Sequence, residues 1–195
     1  MKTVHLFTAL ALAGTISTAA FAEDPPPPPP PPEEGGGSGS GIRAQGGLLD
    51  ASNYDSRPMI LSVHGLLPYG HFGIGYFPIG VGASFYIPIV KNGFIPKLND
   101  EFGIDFGADF VFYLGSAYPF SLYLPVGVQW KFHILEKLEA YAKIGFLAQI
   151  WFGYTTPFLP WPYGMVGIHY WFSKNFGLKA EVGYPGIRAG VVFAF

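Results

Sequence analysis

The chain has 195 residues, of which half are apolar, only 12% are charged and 18% are aromatic, with a formal net charge of −2 and no cysteine. That apolar content argues against a disordered chain, and abundant Gly and Pro without a Gly-X-Y period argue against collagen. With no basic surplus to neutralise phosphates a nucleic-acid partner is not expected, and the missing thiols exclude disulfide scaffolds, thiolate metal sites, cysteine nucleophiles and the lipid-modified cysteine of a lipoprotein.

Residues 1–22 read as an export signal. Lys2 supplies a short positive region, Val4–Ala13 is the apolar stretch, and Ala20-Phe21-Ala22 matches the small-x-small cleavage pattern before Glu23. The apolar core is well short of the ~20 residues of a spanning helix. Residues 23–45 read as a disordered linker of two stiffnesses. Pro25–Pro32 is an unbroken proline run, a polyproline II rod of roughly 25 Å at ~3.1 Å per residue, and after Glu33 and Glu34 the Gly/Ser stretch Gly35–Gly41 is a flexible coil. The rod reads as a spacer. The alternative is a ligand for a periplasmic partner with a groove for proline-rich segments.

Residues 46–195 form the body. Charges are absent from Pro58–Val90, Phe110–Trp130 and Ile144–Ser173, which a hydropathy window reads as membrane helices. Those windows are broken by Pro68, Pro78, Pro88, Pro119, Pro125, Pro157, Pro160 and Pro162 and filled with Val, Ile, Phe, Tyr and Trp, residues that favour strands. The period is two. Phe102, Ile104, Phe106, Ala108, Phe110, Phe112 and Leu114 form an apolar set opposed by Glu101, Asp105 and Asp109. The even positions from Leu138 to Phe152 oppose Glu139, Tyr141, Lys143 and Gln149, and Leu122–Phe132 opposes Gln129, Lys131 and His133. Strands in soluble proteins commonly run to 5–6 residues; these reach well beyond that, each with one wholly apolar face. A membrane barrel accommodates them, because its tilted strands cross the bilayer with an apolar lipid face and its closure leaves no unpaired edge in hydrocarbon.

The expected fold is therefore all-β, an antiparallel transmembrane barrel of eight strands near Pro58–Leu67, His71–Val90, Glu101–Leu114, Phe120–His133, Leu138–Phe152, Tyr163–Phe172, Gly177–Tyr184 and Gly186–Phe195. The apolar frame of His71–Val90 changes around Pro78 and Gly80, so this segment is either one bulged strand or a hairpin. Thr155–Pro162 and Lys91–Asp100 read as loops. With both termini periplasmic, Lys91–Asp100, Leu135–Lys137 and Ser173–Phe176 face the periplasm and the other connections face outside.

Ile187, Ala189, Val191, Phe193 and Phe195 alternate down to a C-terminal Phe, with Arg188 on the other face. This resembles the last strand of bacterial outer-membrane β-barrel proteins, in which a closing aromatic residue is read by the assembly machinery. By length the body is similar to the small eight-stranded class that includes the OmpA, OmpX and OmpW types. The resemblance covers architecture and location only: it implies an outer-membrane address, a lipid environment, and Phe193 and Phe195 as the assembly signal.

On these faces the lumen collects Glu101, Asp105, Asp109, Glu139 and Glu181 against Lys131, Lys143, Lys179 and Arg188. Charges in a low-dielectric interior are costly unless paired or wet, and an eight-stranded barrel is only just wide enough for side chains to fill. The expected role is a structural or anchoring barrel with a largely filled lumen. The alternative is a small passive pore, for which the acidic run Glu101–Asp109 favours cations. A lesser alternative is an envelope-lipid-modifying enzyme: Ser62 and His64 share a strand face and His133 and His169 lie on others, but no serine, histidine and acid are in visible contact and no His-x-Ser arrangement occurs. Metal-ligand spacing is lacking among the histidines, and no cofactor is expected. Tyr113, Tyr118, Tyr123, Trp130, Trp151, Tyr154, Trp161, Tyr163, Tyr170 and Trp171 lie near strand ends and read as interfacial girdles, with a ligand-binding rim at Thr155–Tyr163 as the sharper alternative.

Overall fold

The computed structural model describes residues 46–51, 57–69, 77–115, 120–152 and 159–195. The signal and linker segments lie outside these, as do His71, Tyr118 and Tyr154. Eight strands follow one another: β1 (Ile60–Pro68), β2 (Phe77–Val90), β3 (Asp100–Leu114), β4 (Phe120–Leu135), β5 (Leu138–Phe152), β6 (Leu159–Trp171), β7 (Phe176–Tyr184) and β8 (Gly186–Ala194). Each pairs antiparallel with its neighbour in the chain, and β8 pairs with β1 to close the barrel. This is the all-β fold of a transmembrane β-barrel. The connections 91–99, 136–137 and 172–175 share one end with the start of β1 and the finish of β8, called here the terminus end. The opposite end is the loop end.

Two-residue periodicity sets the wall. Along β3 the side chains of Ile104, Phe106, Phe110, Phe112 and Leu114 are exposed, while Glu101, Asp105, Asp109, Val111 and Tyr113 are buried. The same alternation puts exposed apolar groups on every strand, among them Val63, Val81, Val126, Ile144, Val166, Val182 and Ile187. Ile144 and Phe146 are 69% and 64% exposed. A soluble monomer does not carry so continuous an apolar exterior, and lipid is the solvent it suits. From Phe102 to Leu114 the outward set covers roughly 40 Å of strand, or about 30 Å of height at a ~40° tilt, which matches a hydrocarbon core.

Two points of the sequence reading are resolved or changed. β2 is one strand from Phe77, not a hairpin, and its frame does not shift: Pro78, Gly80, Ser84 and Tyr86 are inward and buried, while Ile79, Val81, Ala83 and Ile87 are outward. The composition changes at Pro78 because small residues occupy inward positions there, and the irregularity lies lower, between Pro88 and Val90. Second, Leu159–Pro162 belongs to β6 rather than to a loop, with Pro160 and Pro162 in register with Ala148 and Phe146. β7 pairs with β6 only from Gly164 onward, so the upper part of β6 has an open edge, where proline costs no ladder bond. The strands β1, β7 and β8 are nine residues long, against 13 to 16 for β2–β6, so one side of the wall is shorter.

Candidate functional site

All nine charged residues expected in the lumen lie buried inside the wall, and the structure divides them into two clusters. At the terminus end Lys131 Nζ lies 2.7 Å from Glu101 Oε1 and 3.8 Å from Glu139 Oε2. His133 stands between the same two carboxylates, 3.4 Å from each, and His169 Nδ1 is 3.0 Å from Glu139 Oε2. Register produces these contacts directly, since Glu101 faces Lys131, His133 faces Glu139 and Glu139 faces His169 across adjacent strands.

At mid-height the contacts cross the interior. Lys143 Nζ lies 2.7 Å from Glu181 Oε1 and 3.0 Å from Asp105 Oδ1, linking β5 to β7 and β3. Arg188 reaches Asp109 across the barrel at 2.5 Å and lies 3.7 Å from Glu181. Lys179 Nζ is 3.3 Å from Glu181 and donates to Ser62 Oγ at 2.9 Å, and Tyr141 donates its hydroxyl to Glu181 at 2.9 Å. His64 Nε2 pairs with Asp109 Oδ1 at 2.7 Å. In register His64 faces Gly82 on β2 and Gly190 on β8. A Cβ at Gly82 collides with the Asp109 carboxylate, so only glycine leaves that group room to meet His64.

Lys131 serves Glu101 and Glu139, Lys143 serves Asp105, and Asp109 is answered only from across the lumen by Arg188 and from β1 by His64. A further base enters from outside the strands. Arg57, before β1, is buried with Nε 3.3 Å from Glu101, hydrogen-bonded also to Lys91 O, Asn99 Oδ1 and His133 Nε2. It brings the inward bases to five, Arg57, Lys131, Lys143, Lys179 and Arg188, against the five carboxylates Glu101, Asp105, Asp109, Glu139 and Glu181, where the sequence reading has an acidic excess. Gly47 and Leu48 also pack across this end, hydrogen-bonded to Asn99 and Ile134.

The loop-end interior is different in kind. Leu66, Val111, Tyr113, Tyr123, Leu147, Tyr163 and Met165 form a buried cluster with Trp151 against it. Tyr113 bridges the hydroxyls of Ser121 and Tyr123 at 3.1 and 3.0 Å and stacks on Trp151 at 4.8 Å between centroids. This corrects the girdle reading: Tyr113, Tyr123, Tyr163 and Trp171 are at most 3% exposed and point inward. Each has the parity of its strand's polar residues, and nearness to a strand end says nothing about which face a side chain takes. Trp130 and Tyr170 do face outward, and Trp161 stands exposed at the rim. Phe193 and Phe195 are outward, Phe195 is tied to Met59 by a reciprocal backbone pair at 3.1 Å, and their rings meet Phe176 and Phe85.

No protein-family model matches this chain, and no curated protein matches it in sequence. Among solved structures, a de novo designed transmembrane β-barrel is similar over 71% of this chain and 94% of its own, at 18% identity and a TM-score of 0.49. The outer membrane protein Ail of Yersinia pestis, determined in a phospholipid bilayer nanodisc, is similar over 71% of this chain and 99% of its own, at 13% identity and a TM-score of 0.46. The eight-stranded closure described above stands on its own hydrogen-bonded ladders.

Proposed function

We propose that the protein is an integral outer-membrane barrel with a structural or anchoring role, its lumen closed by paired side chains, and that the N-terminal linker tethers it on the periplasmic side. The observation that carries this reading is the mid-height band in which Lys143, Arg188 and Lys179 converge on Glu181 from three other positions of the wall while Lys143 and Arg188 also hold Asp105 and Asp109. Bases drawn from β5, β7 and β8 onto carboxylates of β3 and β7 occupy the space that a conduction path needs, and a desolvated ion-paired layer is a barrier to a hydrated ion. Equal numbers of inward acids and bases remove the acidic excess that favoured a cation pore. The enzymatic alternative is disfavoured by geometry: the hydroxyls of Ser62 and Ser84 share a hydrogen bond at 2.7 Å and Ser62 accepts from Lys179, while His64 is engaged by Asp109, so serine and histidine serve different partners.

Conductance across planar bilayers tests the reading. The refolded chain is expected to give no steady channels, and voltage-stable unitary currents would overturn the closed lumen in favour of the pore. Location and assembly have separate tests. Cysteine at Lys174 is expected to be protected from surface labelling on intact cells and cysteine at Thr156 labelled, and removing Phe195 is expected to lower the yield of heat-modifiable barrel.

A further inference from the structure

Exposed charge is distributed unequally along the barrel axis. Among the described residues Asp50, Lys91, Lys97, Glu136, Lys137 and Lys174 are exposed, and all lie at the terminus end. At the loop end the connecting segments Leu67–Phe77, Leu114–Phe120, Phe152–Leu159 and Tyr184–Gly186 contain no Asp, Glu, Lys or Arg in their sequence. The basic groups recur in one setting. Lys91 and Lys97 flank Phe94, which is 59% exposed, in the β2–β3 connection; Lys137 follows Leu135, 60% exposed, in the β4–β5 turn; Lys174 lies between the exposed Phe172 and Phe176 in the β6–β7 turn. All three connections at this end therefore present a lysine beside an exposed apolar side chain, and the rings of Phe94, Phe102, Trp130 and Phe132 form an outward belt just inside them.

We propose that the terminus-end rim is a binding surface for anionic phospholipid headgroups, in which Lys91, Lys97, Lys137 and Lys174 reach the phosphates while the neighbouring Phe and Leu side chains sit among the upper acyl carbons. This rests on the membrane reading above and adds to it a lipid class and a polarity. Aromatic rings settle at the level of the headgroups, and a lysine stem runs along apolar surface while its ammonium stays in the polar layer. The ammonium groups of Lys91, Lys97, Lys137 and Lys174 against the carboxylates of Asp50, Glu136 and the Phe195 terminus leave one basic group in excess among the described residues of the rim, and each basic group near an anionic surface adds attraction that salt screens. The charge-free loop end has nothing comparable, so the two leaflets are not equivalent for this barrel.

Trp130 provides a reporter in a Trp161→Phe background, since Trp151 and Trp171 take inward parity, Trp161 stands exposed at the opposite rim, and Trp130 has outward parity within the belt. The full mature chain is refolded into phosphatidylcholine vesicles that contain, at equal mole fraction, either brominated phosphatidylglycerol or brominated phosphatidylcholine. Selective binding predicts an apparent association of phosphatidylglycerol about fivefold that of phosphatidylcholine, read as Trp130 quenching, which falls to parity near 1 M salt, where the screening length is about 3 Å. The K91Q/K97Q/K137Q/K174Q variant is expected to lose the preference while keeping its heat-modifiable fold. Equal quenching by both lipids in a folded barrel, or a preference that persists in the variant or at high salt, overturns the headgroup site and leaves the membrane barrel standing. Failure to give a heat-modifiable band in any vesicle overturns both.

Discussion

The two halves of the barrel interior solve the same packing problem with different chemistry. From the terminus end to mid-height the space is filled by carboxylates and bases beside the apolar cluster of Ile60, Tyr86, Trp171, Val192 and Ala194, with each inward acid near at least one base; toward the loop end it is filled by Leu66, Val111, Leu147, Met165 and three tyrosines, of which Tyr113 and Tyr123 share their hydroxyls with each other and Tyr113 with Ser121, while Tyr163 donates to Asp105. Both occupy the interior of the same closed wall, but they fail differently. A charged layer is stable only while its partners are complete, because a single deletion leaves a desolvated charge behind. An apolar layer loses only what is removed, plus any cavity left.

The largest expected effect follows from that asymmetry. Glu181 is approached by Lys143, Lys179 and Arg188, so Glu181→Leu leaves three bases around one vacated position, and we expect a loss of about 3–5 kcal/mol in the urea-induced unfolding of the refolded barrel. A midpoint unchanged from wild type removes the ion-paired closure and points to a wet lumen in which the group is solvated.

Asp109→Leu is expected to cost less, about 1–3 kcal/mol, because Arg188 retains Glu181 nearby. Adding Arg188→Leu sharpens the comparison by turning that level of the charged half into an apolar one. The double variant is expected to be more stable than the sum of the two single losses predicts, since an apolar pair of suitable volume replaces both charges. Strict additivity in denaturant midpoints counts against direct pairing of Asp109 with Arg188.

How much of this was legible in the sequence differs between the two halves for a physical reason. Alternation assigns faces, and it places Asp105 and Asp109 inside without reference to any neighbour. The same rule places Tyr113 inside, four residues beyond Asp109, but an aromatic near a strand end also satisfies the description of a girdle, and composition alone does not choose. Contacts across a tight turn are readable too: His133 with Glu139 and Glu181 with Arg188 are cross-strand neighbours of hairpins whose short turns set the register. Alternation leaves Lys131 and Lys143 as candidate partners for Asp105 and Asp109, and Arg188 as one that reaches them only across the interior; which of these pairs form depends on the relative height of non-adjacent strands, which is set by the stagger at closure and has no local signature. Arg57 escaped for a simpler reason. It lies outside any alternating run, before β1, so no periodicity assigns its side chain a face.

The smallest expected effects give the cleanest comparison, because the same atom can be deleted from each half. Tyr141 donates its hydroxyl to the Glu181 carboxylate at 2.9 Å, whereas Tyr123 shares its hydroxyl with Tyr113 at 3.0 Å and accepts from Gln149 at 3.5 Å. Both phenols are buried and both rings stay in place in the Phe variants, so volume and packing are held constant. A hydrogen bond to a charged group contributes roughly twice what a neutral one does. Tyr141→Phe is therefore expected to lower stability by about 1.5–3 kcal/mol and Tyr123→Phe by about 0.5–1.5 kcal/mol. The second loss is limited further because Tyr113 keeps Ser121 as a partner at 3.1 Å. Urea midpoints measured under one set of lipid conditions rank the two. Equal losses mean that Glu181 is already solvated or fully satisfied without Tyr141, and a larger loss at Tyr123 means that the loop-end hydroxyls, rather than the ion pairs, are the polar contacts on which closure of the lumen depends.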